Sequence, residues 1–279
     1  MAKQPLIGIL SPGMPGPSPN MDAFIEGLRA HGYVDGETAR IETRFAQQSY
    51  LLLDEAAHEL AALKPDVIFG GNSHEALAIV ILSSDIPVVT GASTDPVHVR
   101  LVRSLERPGW NATGCYTTSE AYVRRKLEAM RQVAPNARRI GLVYDGLDPE
   151  RPFEVRLLRK EAKAMGIELV ERPVRTIFDY AGSFSEAQNE GAEAVILLGG
   201  LSTILGKSAI VEAAKAVKVP LMVPMRYWLP EVGDVCVGVS TPDLYRRAAT
   251  FVHRVLQGEN PANMAMETTD QFDVALKQR

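Results

Sequence analysis

Cysteine is scarce: Cys115 and Cys236 are the only two in 279 residues, and so small a count leaves the compartment open. No apolar run approaches the roughly 20 residues that a bilayer-spanning helix needs. Neither sign of charge dominates. Thirty Lys and Arg stand against 34 Asp and Glu, a formal net charge of −4, whereas a nucleic-acid partner usually demands a basic face; none is expected. Catalytic signatures are missing too: there is no Gly-x-Ser-x-Gly elbow, Walker A loop, Gly-x-Gly-x-x-Gly or His-Glu-x-x-His. The five histidines, His31, His58, His74, His98 and His253, show no metal-ligand spacing. With no acid, base and nucleophile set in view, the chain reads as a binder without catalytic residues, metal or cofactor. No charged segment followed by an apolar one precedes Leu6. The expectation is either a cytoplasmic protein or an exported one written without its leader.

What is present is ordinary for a globular protein: 46% hydrophobic and 23% charged residues, in a length comfortable for two domains. Short β-branched runs alternate with amphipathic stretches. Leu6–Leu10, Ala39–Phe45, Val67–Phe69 and Pro87–Thr90 read as strands. Met21–His31, Leu51–Leu63 and Ser73–Ile81 read as helices. Such alternation predicts a mostly parallel sheet with helices on both faces. The pattern also runs twice. Gly32 is echoed by Gly166, the pair Gly70-Gly71 by Gly199-Gly200, and Pro87 by Pro220, at offsets of 134, 129 and 133 residues. Three landmarks in one order at a nearly constant offset predict a duplicated α/β unit.

In doubly wound domains ligands bind beyond the carboxyl ends of the strands. The residues there are small, polar and glycine-rich: Ser11-Pro12-Gly13, Gly71-Asn72-Ser73, Gly91 to Asp95, Tyr144-Asp145, Gly200-Leu201-Ser202 and Pro224 to Tyr227. Asn72 and Ser73 stand where a strand gives way to a helix, whose free amides attract a carboxylate; capping that helix is the other role open to them. Ser202 is the counterpart in the second copy. Asp95 is suited either to a ligand ammonium or to capping a helix that begins near Val97. Arg226-Tyr227-Trp228 offers a cation and two aromatic faces, or simply packs. The ligand-binding candidates are therefore Ser11, Asn72, Ser73, Ser93, Asp95, Tyr144, Asp145, Ser202, Arg226 and Tyr227.

Several stretches carry a family likeness. They include Ile7 to Gly13, Phe24-x-x-Gly27-Leu28-Arg29-x-x-Gly32-Tyr33-Val34-x-Gly36, Asp95-Pro96-Val97, Ser104-Leu105-x-Arg107-Pro108-Gly109-x-Asn111-x-Thr113-Gly114 and Asp243 to Ala249. In these the chain resembles the periplasmic solute-binding components of ABC transporters, in the family that includes tryptophan/tyrosine-type binding proteins. That resemblance implies two similar doubly wound parallel-sheet domains of the type I periplasmic-binding fold, joined by a three-strand hinge. Residues 1–114 plus 239–258 would form one lobe and 116–237 plus 259–279 the other, with the ligand cleft between them. It implies export to the periplasm or cell surface and capture of an amino acid, aromatic ones included, or a related carboxylate by hinge closure. A monomer that delivers its ligand to permease subunits follows. Cys115 and Cys236 would lie on two neighbouring crossovers, within reach of a disulfide. The competing class, the effector-binding sensor of a regulator, shares the fold but needs a DNA-binding headpiece, and no such segment precedes Leu6.

Overall fold

The computed structural model of the protein describes residues 4–11, 13–47, 49–148 and 151–277. Two compact units divide the chain, one of Met1–Thr118 with Ser240–Thr269 and one of Ser119–Val239 with Asp270–Arg279. The chain thus passes from unit to unit three times, at 118/119, 239/240 and 269/270.

In the first unit β1 (Leu6–Ser11), α1 (Pro19–Ala30), β2 (Arg40–Phe45), α2 (Tyr50–Ala62), β3 (Val67–Gly70), α3 (Ser73–Leu82), β4 (Val88–Ser93) and β5 (Ala112–Tyr116) follow in order. The five strands are parallel, arranged β2-β1-β3-β4-β5. The central strands read as unbroken apolar runs because both faces are covered. On one face Leu10, Ile68 and Val88 pack with Leu60 of α2 and Ile79 of α3. On the other, Phe69 stacks on Phe24 of α1 at 3.8 Å between ring centroids.

The second unit repeats the scheme with α4 (Glu120–Val133), β6 (Arg139–Asp145), α5 (Arg151–Ala164), β7 (Glu168–Val174), α6 (Asp179–Asn189), β8 (Ala194–Leu197), α7 (Leu201–Leu205), α8 (Lys207–Ala214), β9 (Leu221–Met222) and β10 (Val235–Val239). The order β7-β6-β8-β9-β10 matches that of the first sheet strand for strand. Alternation along the strands divides the core. Ile140, Leu142 and Ile196 face α4 and α5, while Val143, Val195 and Leu197 face Tyr180 and Phe184 of α6. Gly32 and Gly166, which close the turns before β2 and β7, adopt φ of 85° and 69°, the left-handed region that glycine enters without cost. After β10 the chain returns to the first unit as α9 (Thr241–Leu256), whose buried Leu244, Tyr245, Ala248, Ala249, Val252 and Val255 recur at helical spacing. Tyr245 meets Phe69 edge-on at 5.1 Å.

Three expectations need correction. Residues 259–269 belong with the first unit rather than the second. There the Thr113 hydroxyl donates to the Met264 carbonyl at 2.7 Å, Met266 N–H donates to Leu105 O at 2.7 Å, and Met264 and Met266 are buried. Only the last strand, β11 (Phe272–Leu276), joins the second sheet, and it runs antiparallel to β10. The segment after Asp95 is a hydrogen-bonded turn, not a helix. Cys115 and Cys236 lie inside β5 and β10 rather than on crossovers, each buried in its own sheet, and both are free thiols.

Candidate functional site

β1, β3 and β4 are neighbours in the first sheet, so their carboxyl ends come together. Asn72 is the N-cap of α3. Its Oδ1 accepts from His74 N–H and its own N–H donates to the Glu75 carboxylate, both at 2.8 Å. This reciprocal pair satisfies orphan donors at the helix start. The next residue, Ser73, is buried and shares a 2.5 Å hydrogen bond with the equally buried Ser93 hydroxyl. That contact fastens the start of α3 to the end of β4. Asp95 is buried, and its Oδ1 accepts from His98 N–H at 3.0 Å, closing the turn. The Ser11 hydroxyl accepts from Gly13 N–H at 3.4 Å; Pro12 between them lies outside the described residues.

The second sheet places its polar residues differently. Ser202, in the first turn of α7, pairs its hydroxyl with that of Tyr180 at 2.8 Å. Asp145, at the end of β6, accepts from Leu147 N–H at 2.9 Å. Tyr144 turns its hydroxyl to Glu171 on the edge strand β7, at 3.0 Å, and Glu171 is gripped by both Nε and Nη2 of Arg159. The Arg159 guanidinium beside it, helped by that tyrosine, holds the Glu171 carboxyl below its ordinary range. Arg226 and Tyr227 stand exposed on a one-turn helix, with Lys207 Nζ 5.0 Å from the centre of the Tyr227 ring. Trp228 takes the packing role instead, fully buried beside Val223 and Leu229.

A further group at this end of the second unit escaped sequence reasoning. Arg151 Nε donates to Asp148 at 3.0 Å, and its Nη1 also bonds Glu154, which pairs with Lys126. Burial works against the charge of Glu154, yet Lys126 and Arg151 hold its carboxyl below the usual range. For Lys126 burial is likewise opposed by Glu154, and its pKa ends above the ordinary value. Asp148 and Arg151 are three apart, the spacing of side-chain neighbours at a helix start; Lys126 lies 28 residues from Glu154, and no local signal joins them.

The family model described as ABC transporter substrate binding protein matches residues 14–279. A tyrosine-binding protein of Clostridioides difficile (strain R20291) is 26% identical over 256 residues, which is 91% of this chain and 73% of that one. Among solved structures, a conserved domain protein of Vibrio cholerae superposes with a TM-score of 0.79 at 25% identity, covering 98% of this chain and 92% of that one. An ABC domain from Streptococcus pneumonia in complex with L-Trp has the same TM-score and the same coverage at 20% identity, a likeness of fold.

Proposed function

Because the chain belongs to the ABC transporter substrate-binding protein family and has the type I periplasmic-binding fold, we propose that it is an extracytoplasmic receptor for a free amino acid, aromatic ones foremost. In this reading it performs no chemistry and passes its ligand to the permease of an ABC importer. The observation that carries the reading is the start of α3, where Asn72 caps the helix and the Ser73–Ser93 hydroxyl pair fixes that start to the end of β4. Serine hydroxyls held at a helix start suit an α-carboxylate. Each hydroxyl has one proton and two lone pairs, so the pair retains hydrogen-bonding capacity for a ligand. The tyrosine-binding relative supports an aromatic amino acid as the first choice. Capture proceeds by closure of one lobe on the other, which follows only if the ligand touches both.

Calorimetry with L-tyrosine, L-tryptophan and L-leucine tests the reading. Asn72→Ala combined with Ser73→Ala is expected to weaken binding about tenfold or more, since a hydrogen bond to a charged group contributes roughly 1.5–3 kcal/mol. Unchanged affinity with only a lower melting temperature would reduce both residues to helix capping.

A further inference from the structure

Lys126, Glu154 and Arg151 are all buried in the second unit, among the apolar residues of α4 and α5. Glu154 bridges the two cations, and Arg151 extends the chain to Asp148. Removing such groups from water costs about as much as their attraction returns, and apolar replacements of similar volume are often as stable or more so. The arrangement is better explained by what it holds in place. Asp148 lies in the loop between β6 and α5, and its carboxylate lies against Gly200, beyond the end of β8. A Cβ at Gly200 would sit 2.8 Å from Asp148 Oδ2. The Tyr180–Ser202 hydroxyl pair lies in the same neighbourhood, with Asp148 and Arg151 both acting on the Tyr180 hydroxyl.

The four side chains carry two positive and two negative charges. Arg151 already has two carboxylates, so the group is poorly suited to receive an anion. Asp148 instead presents a carboxylate held in place by Arg151, and it stands beyond the end of β6, where open α/β sheets take their ligands. We propose, on the amino-acid reading above, that Asp148 is the specificity-determining residue that selects a ligand with a free ammonium group. Glu154 is then a positioning residue that acts on it through Arg151. The favoured class is the α-amino acid, and carboxylic acids of the same shape without the amine are rejected.

Calorimetry with L-tyrosine and its amine-free analogue 3-(4-hydroxyphenyl)propionate tests both roles. D148N is expected to weaken L-tyrosine about tenfold or more, the scale of one charge-assisted hydrogen bond, while the analogue changes little. K126M/E154M removes one balanced pair and leaves Arg151 with Asp148. It is expected to melt no lower than the unsubstituted protein yet lose part of the preference for the amine. Equal weakening of both ligands by D148N, or no weakening of either, overturns the role of Asp148. An intact preference in K126M/E154M overturns the role of Glu154. Unsubstituted protein that binds neither compound nor any amino acid overturns the reading beneath, a result visible before any substitution is made.

Discussion

Gly114 sits in β5 at φ 127°, and a Cβ there would lie 2.2 Å from the Thr90 carbonyl oxygen of the neighbouring strand. Both the backbone angle and the space exclude a side chain, so Gly114→Ala is expected to lower unfolding free energy by more than about 1 kcal/mol in a denaturant titration. A loss smaller than that would mean β4 and β5 separate more easily than their register indicates. One residue on, burial pushes the Cys115 thiol far above its ordinary pKa. Cys236 is raised as well, again chiefly by burial. Because the thiolate is the reactive form, a thiol reagent is expected to label neither cysteine in the native protein and both after denaturation. Rapid native labelling of one would show that its strand opens.

Between elements, α1 and α9 meet with stacked imidazoles. His31 lies over His253 at 4.6 Å between centroids, His31 Nε2 bonds the Thr250 hydroxyl, and His253 Nδ1 bonds the Tyr33 hydroxyl. Partial burial, and then the neighbouring His253, lower the His31 pKa from its ordinary value of 6.5. The unfolded chain therefore takes up this proton at a higher pH than the folded one. Above pH 6.5 the group costs the fold nothing. As pH falls below that value and through the lowered folded pKa, stability is lost. His31→Gln should flatten that part of the stability–pH curve, followed by thermal melts from neutral to mildly acidic pH. An unchanged slope would leave the stacked pair without a role in acid sensitivity.

At the scale of the molecule, proposed closure and proposed binding have separate readouts. A ligand bound only by the folded state raises apparent stability by about 2.7 kcal/mol at 100 times its Kd, whether or not the lobes move. Movement is read by small-angle scattering, where saturating L-tyrosine is expected to reduce the radius of gyration. A raised melting temperature with an unchanged radius would keep the binding function and discard closure. The three passages of the chain between units, at 118/119, 239/240 and 269/270, are where bending would have to occur.

Much of this architecture is written locally. Strands such as Val67–Gly70 and Ala194–Leu197 are apolar on both faces, and that alone implies a parallel sheet covered on both sides. The recurrence of Gly-Gly and Pro landmarks along the chain implied the duplication that the matching strand orders display. Asn72 as a helix cap was legible because strand, cap and helix are consecutive in sequence. Other features depended on distant partners. Whether Ser73 would meet Ser93 depends on β3 lying beside β4, and whether Lys126 would find Glu154 depends on α4 packing against α5. The placement of residues 259–269 was decided by partners on β5 and the loop before it: Thr113 donates to the Met264 carbonyl, and Met266 N–H donates to the Leu105 carbonyl. Hydrophobic period and turn chemistry act over a few residues, so the sequence alone determined the elements, their repetition and the strand-end positions of the polar residues. Pairing of buried charges and hydroxyls requires desolvation by elements far apart in the chain, so only the tertiary structure decided which of those residues touch.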